Sequence, residues 1–565
     1  MELYVDERKI TAKPGQSLLE LIKEMGLQGT DLRDMPIAAQ IAGEVFNLNY
    51  IPLRAKDACH ERPSIRRAMA ASKGKISLIY YQDPRGRDVY ARTAQFVLFL
   101  ALGQLYPMAR AKICCTVGPA LYVEVFDPDF SIEALKTRIQ ALIQEDFSFT
   151  RQRVDKKDAI CQYIGRGFTD KARLLRWRQQ DYFDHYQYGQ FADYYYGELA
   201  PTSGYLMAWD LLPAENGFLF VFPDDRHPDQ VAKFQDMPNF MNVSREGERW
   251  CELMNCENVA DLNELVESGN IRELIRVNEA LHEKRYSQIA DMVCERGARA
   301  VLLAGPSSSG KTTSANRLAT QLRVYGKKPI LMSLDDYYID RDKIPPGPDG
   351  KLDLEHINTI DAQLFREHLS ALLNGLEVEL PVFDFISGKR QWQGHRLRLT
   401  NDTVIIVEGL HALNPVLLPE KLDKNLIFRL YVSPLLPLNL DDHNRIPTSM
   451  LRLLRRTVRD IRTRGSSVQK TMAMWDSVRR GEQLWIYPFQ ENADVIFNSS
   501  TLYELSVLKK YIFPLLLAIE PEEPCYDQVR SLVKILNYVQ QADVDDEIPP
   551  TSLVREFIGG NTFYR

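Results

Sequence analysis

The sequence predicts an α/β protein in which a P-loop domain, with a mostly parallel sheet and helices on both faces, follows a small β-grasp unit and a larger α+β unit. Three observations predict it. A glycine-rich phosphate loop at residues 305–313 stands between a short apolar run and an amphipathic helix. Further apolar runs of strand length follow, two of them ending in carboxylates. At the other end of the chain, a hairpin pattern, a capped helix and two more strand patterns succeed one another.

Composition bounds the answer. The chain has 565 residues, 45% of them apolar and 26% charged, which excludes disorder and allows several cores. Length alone suggests roughly three or four domains. With 70 Lys+Arg against 76 Asp+Glu the net charge is -6, so a globally cationic nucleic-acid surface is excluded while a local basic patch is not. No stretch approaches the roughly 18 apolar residues of a membrane span, so no membrane partner is expected. The N-terminus MELYVDERKI has no apolar signal-peptide core. The 8 Cys form no CxxC pair, and adjacent Cys114 and Cys115 suit packing; this points to a reducing cytoplasm, not to a disulfide framework or zinc module.

Residues 1–60 read as a strand-rich unit. Leu3 to Val5 and Lys9 to Ala12 alternate around a turn at Asp6-Glu7, and Ser17 caps an amphipathic helix from Leu18 to Met25. Strand patterns from Ile37 to Ile41 and from Val45 to Leu48 are split by Gly43-Glu44. This order resembles the TGS domain at the front of threonyl-tRNA synthetases; a generic small α+β domain is the alternative.

Residues 61–225 extend that resemblance. Asp88-Val89-Tyr90 opens a helix through Phe96, Leu100 and Leu105 to Pro107, Thr116-Val117-Gly118-Pro119 follows, and Ser131 precedes a second long helix. With the later run from Tyr188 to Asp193, the order is similar to the α+β editing domain of those synthetases. The family's HxxxH helix positions fall on Arg92 and Phe96, and its later Cys and His fall on Tyr195 and Leu199. None of the four can serve as ligand or base, so editing is not expected. The aromatic runs Asp181-Tyr182-Phe183 and Tyr194-Tyr195-Tyr196 could stack on RNA bases, which keeps RNA as a candidate partner, or pack internally.

Residues 226–285 read as a helical connector, residues 286–520 as the P-loop domain and residues 521–565 as a C-terminal helical tail. In the loop Gly305-Pro306-Ser307-Ser308-Ser309-Gly310-Lys311-Thr312-Thr313, the glycines let successive N–H groups face a polyphosphate at a helix N-terminus. Gly305, Ser308, Ser309, Gly310, Lys311, Thr312 and Thr313 are the expected nucleotide-binding residues. Lys311 puts charge on the β/γ phosphates and the Thr312 hydroxyl can ligate Mg²⁺. No NKxD base motif for guanine occurs. Instead one strand pattern ends in Asp335-Asp336-Tyr337-Tyr338 and another in Glu408-Gly409. Carboxylates at the C-terminal ends of parallel strands sit in the ligand crevice, where one can be a base and another can hold Mg²⁺. The basic run from Arg452 to Arg464 is a solvated face, an RNA patch, or a lid that closes on the transferring phosphoryl group.

Together GPSSSGKTT, SLDDYY, the segment from Asp353 to His356, PVFDF, VEGLHALN, RRTVRDIRTRG and ADVI resemble the uridine kinase/phosphoribulokinase family, over about residues 298–510. The resemblance implies an ATP- and Mg²⁺-dependent kinase of a small hydroxylated acceptor, a nucleoside or a sugar, and a homo-oligomer is the expected assembly. It makes Asp335 the base and a candidate metal residue, and gives Glu408 and Thr312 to Mg²⁺. Tyr338, Glu355, Phe383 and Phe385 line the acceptor pocket; Arg456, Arg459 and Arg464 form the phosphate-facing lid. Three positions depart from uridine kinases: Gly388 for the His that reads the pyrimidine, Ser466 for a lid Arg, and Met474 for a Gln. Base selection is expected to be relaxed. A sugar-phosphate acceptor would instead call on Arg390 or Arg445, and a tRNA- or ribosome-associated regulator with ATP as switch is the remaining alternative.

Overall fold

Alternation along Glu2–Val5 sends Leu3 and Val5 into the first core, and this strand, β1, pairs antiparallel with β2 (Arg8–Thr11). The computed structural model describes residues 2–51, 72, 74–344, 353–421 and 423–563. Helix α1 (Leu18–Glu24) begins at a capping box: the Ser17 hydroxyl accepts from the Glu20 N–H, and the Glu20 carboxylate accepts from the Ser17 N–H. Strands β3 (Ala38–Ile41) and β4 (Glu44–Phe46) form a second hairpin. Between the hairpins lies β5 (Lys75–Ile79), parallel to β1 and antiparallel to β3, giving the order β2-β1-β5-β3-β4. The sheet thus draws its middle strand from beyond residue 60. The boundary expected at 60/61 lies outside the described residues.

Helix α2 (Pro84–Leu105) starts earlier than Asp88, because Asp83 accepts from the Arg85 N–H and Pro84 suits the first turn. It packs with α3 (Ile132–Gln144) on a four-stranded antiparallel sheet ordered β11-β12-β7-β6, from β6 (Arg110–Val117), β7 (Ala120–Phe126), β11 (Asp210–Ala214) and β12 (Gly217–Val221). Strands β8 (Thr150–Asp155), β9 (Tyr182–Tyr188) and β10 (Phe191–Asp193) make a small second sheet, and α4 (Lys156–Gly165) and α5 (Thr169–Arg176) join its strands. The four positions where editing ligands would stand converge. Arg92 donates to the Glu198 carbonyl, Phe96 and Tyr195 have ring centroids 6.3 Å apart, and Phe96 and Leu199 are fully buried. Phe183, Tyr194 and Tyr195 are buried too, Phe183 and Tyr194 meeting edge to face at 4.7 Å, and the half-buried Tyr196 ring lies 5.7 Å from Tyr538; Tyr182 is exposed, with the Arg153 guanidinium 4.1 Å from its ring.

Residues 238–296 form three helices, α6 (Pro238–Leu253), α7 (Val259–Glu267) and α8 (Ile271–Arg296). Helix α8 runs unbroken across 285/286. It packs Tyr286, Ile289 and Val293 on Ala315, Leu318 and Leu322 of α9 (Lys311–Val324), the helix after the phosphate loop.

The sheet beneath α9 is five-stranded and wholly parallel, in the order β14-β17-β13-β18-β21, from β13 (Ala300–Ala304), β14 (Lys328–Ser333), β17 (Thr403–Glu408), β18 (Ile427–Ser433) and β21 (Val495–Asn498). Its strands read as apolar runs because both faces are covered: α8 and α9 on one, α6 and α10 (Ala362–Leu373) on the other. A hairpin of β15 (Val378–Asp384) and β16 (Lys389–Leu397) projects beside the strand ends, and β19 (Asn439–Asp441) with β20 (Asn444–Arg445) forms a short ribbon against the N-terminal half. Helices α11 (Thr448–Arg464), α12 (Val468–Trp485), α13 (Glu504–Leu517) and α14 (Tyr526–Leu536) share one core with the last turn of chain near Phe557.

Candidate active site

The phosphate loop leaves β13 and curls at Ser308 and Gly310, whose φ values are +59° and +88°. Gly305 is obligatory, since a Cβ there would stand 2.1 Å from the Val432 carbonyl. The Ser308 and Ser309 hydroxyls are buried without partners, and Lys311 Nζ rests on the Pro306 carbonyl at 3.1 Å. Loop N–H groups, orphaned hydroxyls, a lysine and a helix N-terminus together make a polyphosphate cradle.

Three carboxylates face this cradle from the ends of neighbouring segments. Glu408, at the end of β17, accepts from the Thr312 hydroxyl at 3.3 Å. Asp335 follows β14 in a single turn whose start is fixed by Ser333 Oγ accepting the Asp335 N–H, and it accepts from the Tyr338 hydroxyl. Glu355 packs its Cβ so near α12 that Gly481 could carry no side chain, and its Oε2 is buried without a partner. Burial pushes Glu408 and Glu355 up to about 7 and raises Asp335, against the pull of Lys311. Burial likewise lowers Lys311, with Glu408 and Asp335 opposing it. A carboxylate and a hydroxyl side by side are hard oxygen donors of the kind Mg²⁺ takes, leaving room for waters and phosphate oxygens. The residues present fit that ion.

An aromatic wall stands on the far side of Asp335. Tyr338 lies 5.5 Å from Phe383 and 6.4 Å from Phe385, and the two Phe rings are 5.2 Å apart. Asp336 holds β15 there by accepting the Phe383 N–H at 3.1 Å. Phe385 is half open, which leaves a mouth to solvent. Gly388 sits in the adjoining turn at φ +68°, and a Cβ there would come within 3.0 Å of Arg341.

The arginines of α11 divide into two groups. Arg452 and Arg455 are fully buried struts, ion-paired with Glu482 and Glu504 and donating to the carbonyls of Ser307 and Ser308. They fix the loop. Arg456 donates to Ser307 Oγ at 2.9 Å and pairs with Asp460. Arg459 lies between Asp460 and Glu556, and the exposed Arg464 reaches back to Asp460 at 3.3 Å. The expected lid arginines therefore gather around Asp460, with Arg456 nearest the phosphate loop. Sequence reading missed Glu482, which accepts the Ser307 N–H at 3.0 Å, and Glu556, which accepts from the Thr313 hydroxyl at 2.6 Å. Neither stands in a motif, and no local spacing could have linked them to a loop so distant in sequence.

Comparison with known proteins agrees with this geometry. The profile of the phosphoribulokinase/uridine kinase family matches residues 301–506. Uridine kinases of Salmonella paratyphi B and Salmonella typhimurium are each 31% identical over 197 residues, covering 34% of this chain and 84% of theirs. Among solved structures, a possible uridine kinase from Bacillus stearothermophilus aligns at 18% identity and TM-score 0.25, covering 37% of this chain and 96% of that one. D-glycerate 3-kinase from Cryptococcus neoformans aligns at 16% and TM-score 0.22, covering 45% and 87%. Through these residues the chain belongs to the phosphoribulokinase/uridine kinase family and carries out ATP-dependent phosphoryl transfer to a small acceptor.

Proposed function

We propose that the acceptor is a nucleoside, phosphorylated on its 5′-hydroxyl. The observation that carries this reading is the Tyr338, Phe383 and Phe385 wall beside Asp335 and the unpartnered Oε2 of Glu355. Aromatic faces suit a planar base, and an acceptor-only carboxylate suits the ribose diol. Asp335 takes the proton of the attacking hydroxyl; Tyr338 orients that carboxylate. Thr312 and Glu408 would hold Mg²⁺, which would supply neutralisation of phosphate charge. Gly305, Ser308, Ser309, Gly310, Lys311 and Thr313 bind the polyphosphate. Arg456, Arg459 and Arg464 face the transferring group.

A sugar-phosphate acceptor fits less well. Arg390 is committed to Asp361 at 2.9 and 3.0 Å, and Arg445 to Thr116 of the N-terminal half. Neither guanidinium is placed to receive a second phosphate.

The finer organisation belongs to the same reading: a TGS-like unit, an editing-like unit without editing chemistry, a helical connector, the kinase domain and a C-terminal helical tail, in a cytoplasmic homo-oligomer. Among the described residues no helix is long and apolar enough to cross a membrane. The test is ATP consumption with nucleosides, sugars and sugar phosphates as acceptors, the product identified by mass. A nucleoside 5′-monophosphate as main product is expected. Turnover with sugar phosphates alone would overturn the acceptor assignment, and turnover only in the presence of tRNA would favour a regulator.

A further inference from the structure

The family match ends at residue 506, yet the chain returns to the phosphate loop well after it. Leu553 is fully buried against Gly310, its Cδ2 2.7 Å from where a Cβ would stand. One turn later Glu556 Oε2 accepts from the Thr313 hydroxyl at 2.6 Å, and Oε1 lies 3.9 Å from Arg459. The segment is anchored on both sides: Ser552 donates to Glu279 of α8 at 2.7 Å, and the Phe557 ring lies 4.9 Å from the Arg455 guanidinium. Leu553, Val554, Phe557 and Ile558 are all buried, so withdrawing the segment would expose four apolar side chains. It is a fixed wall. The Glu556 side chain is the partly exposed acid on it.

The order of residues along a phosphate loop follows the order of groups along a nucleotide. Lys311 and Thr312 serve the β/γ end; Thr313 is the next residue along, which on that order lies toward the α-phosphate and the nucleoside beyond it. A carboxylate beside it is a poor neighbour for another anion but a strong acceptor for hydroxyls, and the Arg459 guanidinium lies 3.9 Å from it. We infer that the C-terminal segment builds the nucleoside end of the donor site and that Glu556 accepts the ribose hydroxyls of the donor nucleotide. This inference rests on the donor-site reading of the phosphate loop given above.

The test is calorimetric binding of Mg·ATP, Mg·2′-deoxy-ATP and Mg·3′-deoxy-ATP to the full-length protein without acceptor. The wild type is expected to bind ATP about tenfold more tightly than either deoxy analogue, the usual worth of a hydrogen bond to a charged group. Glu556→Ala should weaken ATP by a similar factor and bring the three affinities together, and Glu556→Asp should restore part of the difference. Thermal melts check the fold, and Glu556→Gln replaces the alanine variant should the latter melt early. Equal affinities in the wild type, or a ratio that survives in Glu556→Ala, would overturn the inference. Tighter ATP binding by Glu556→Ala would also overturn it, because the carboxylate would then be opposing the phosphates. A wild-type chain that binds no nucleotide would strike the donor-site reading itself.

Discussion

Lys171 of the N-terminal half is buried against Asp441 of the kinase half, its Nζ 2.8 Å from Oδ1. The same ammonium lies 2.9 Å from Asp193, whose other oxygen meets His443 at 2.5 Å. All three charged side chains are essentially without solvent. Lys171 and His443 hold the Asp193 carboxyl well below its ordinary range despite its burial. The two halves are therefore locked by a desolvated charge cluster, not by a flexible linker.

Lys171→Met should accordingly cost about 3–5 kcal/mol, the usual penalty for stranding buried charges of one sign. Urea unfolding of the full chain checks this, and a loss below about 1 kcal/mol would contradict the burial described. Because Asp193 is depressed, its contribution is present above the ordinary carboxylate range and is lost as pH falls through its lowered value.

Glu355 gives a pH signature. Burial raises it to about 7, with Arg456 opposing, so it gains a proton within the physiological range. Only the ionised form accepts two hydroxyls. At saturating nucleotide and metal, acceptor kcat/KM should rise between about pH 6 and 8, and Glu355→Gln should flatten that limb and raise acceptor KM about tenfold. A limb that persists in the variant would assign it to another group.

Gly388 explains the missing base-reading side chain. Its φ of +68° and its contact with Arg341 leave no strain-free place for a Cβ. Gly388→His should lose about 1–2 kcal/mol, seen as a lower Tm. In the wild type, uridine, cytidine, adenosine and guanosine should differ by less than about 100-fold in kcat/KM. A uridine preference of about 10⁴ would mean that another residue reads the base.

Much of this architecture is legible in the sequence, for identifiable reasons. The strands at Ala300–Ala304 and Thr403–Glu408 are apolar runs because both sheet faces are covered, and Ser17 announces its helix by a local hydrogen bond. The loop, Asp335 and Glu408 are legible because phosphate chemistry fixes their spacing from strand ends. Contacts set by tertiary packing are not. Strand β5 joins its sheet between two hairpins across a long separation, Arg452 and Arg455 look like lid residues until Glu482 and Glu504 are seen beneath them, and Glu556 reaches Thr313 from the far end of the chain.

We propose that Asp335 removes the proton of the acceptor hydroxyl. Its carboxylate lines the cleft between the phosphate loop and the aromatic wall, with Tyr338 donating to it and Lys311 opposing the effect of its burial. The most direct measurement is kcat of Asp335→Asn alongside calorimetric ATP affinity for the same protein. A fall in kcat of roughly 10²–10⁴ with ATP binding nearly unchanged is the outcome expected for the loss of a positioned base. Turnover near the wild-type rate would remove Asp335 from the chemistry.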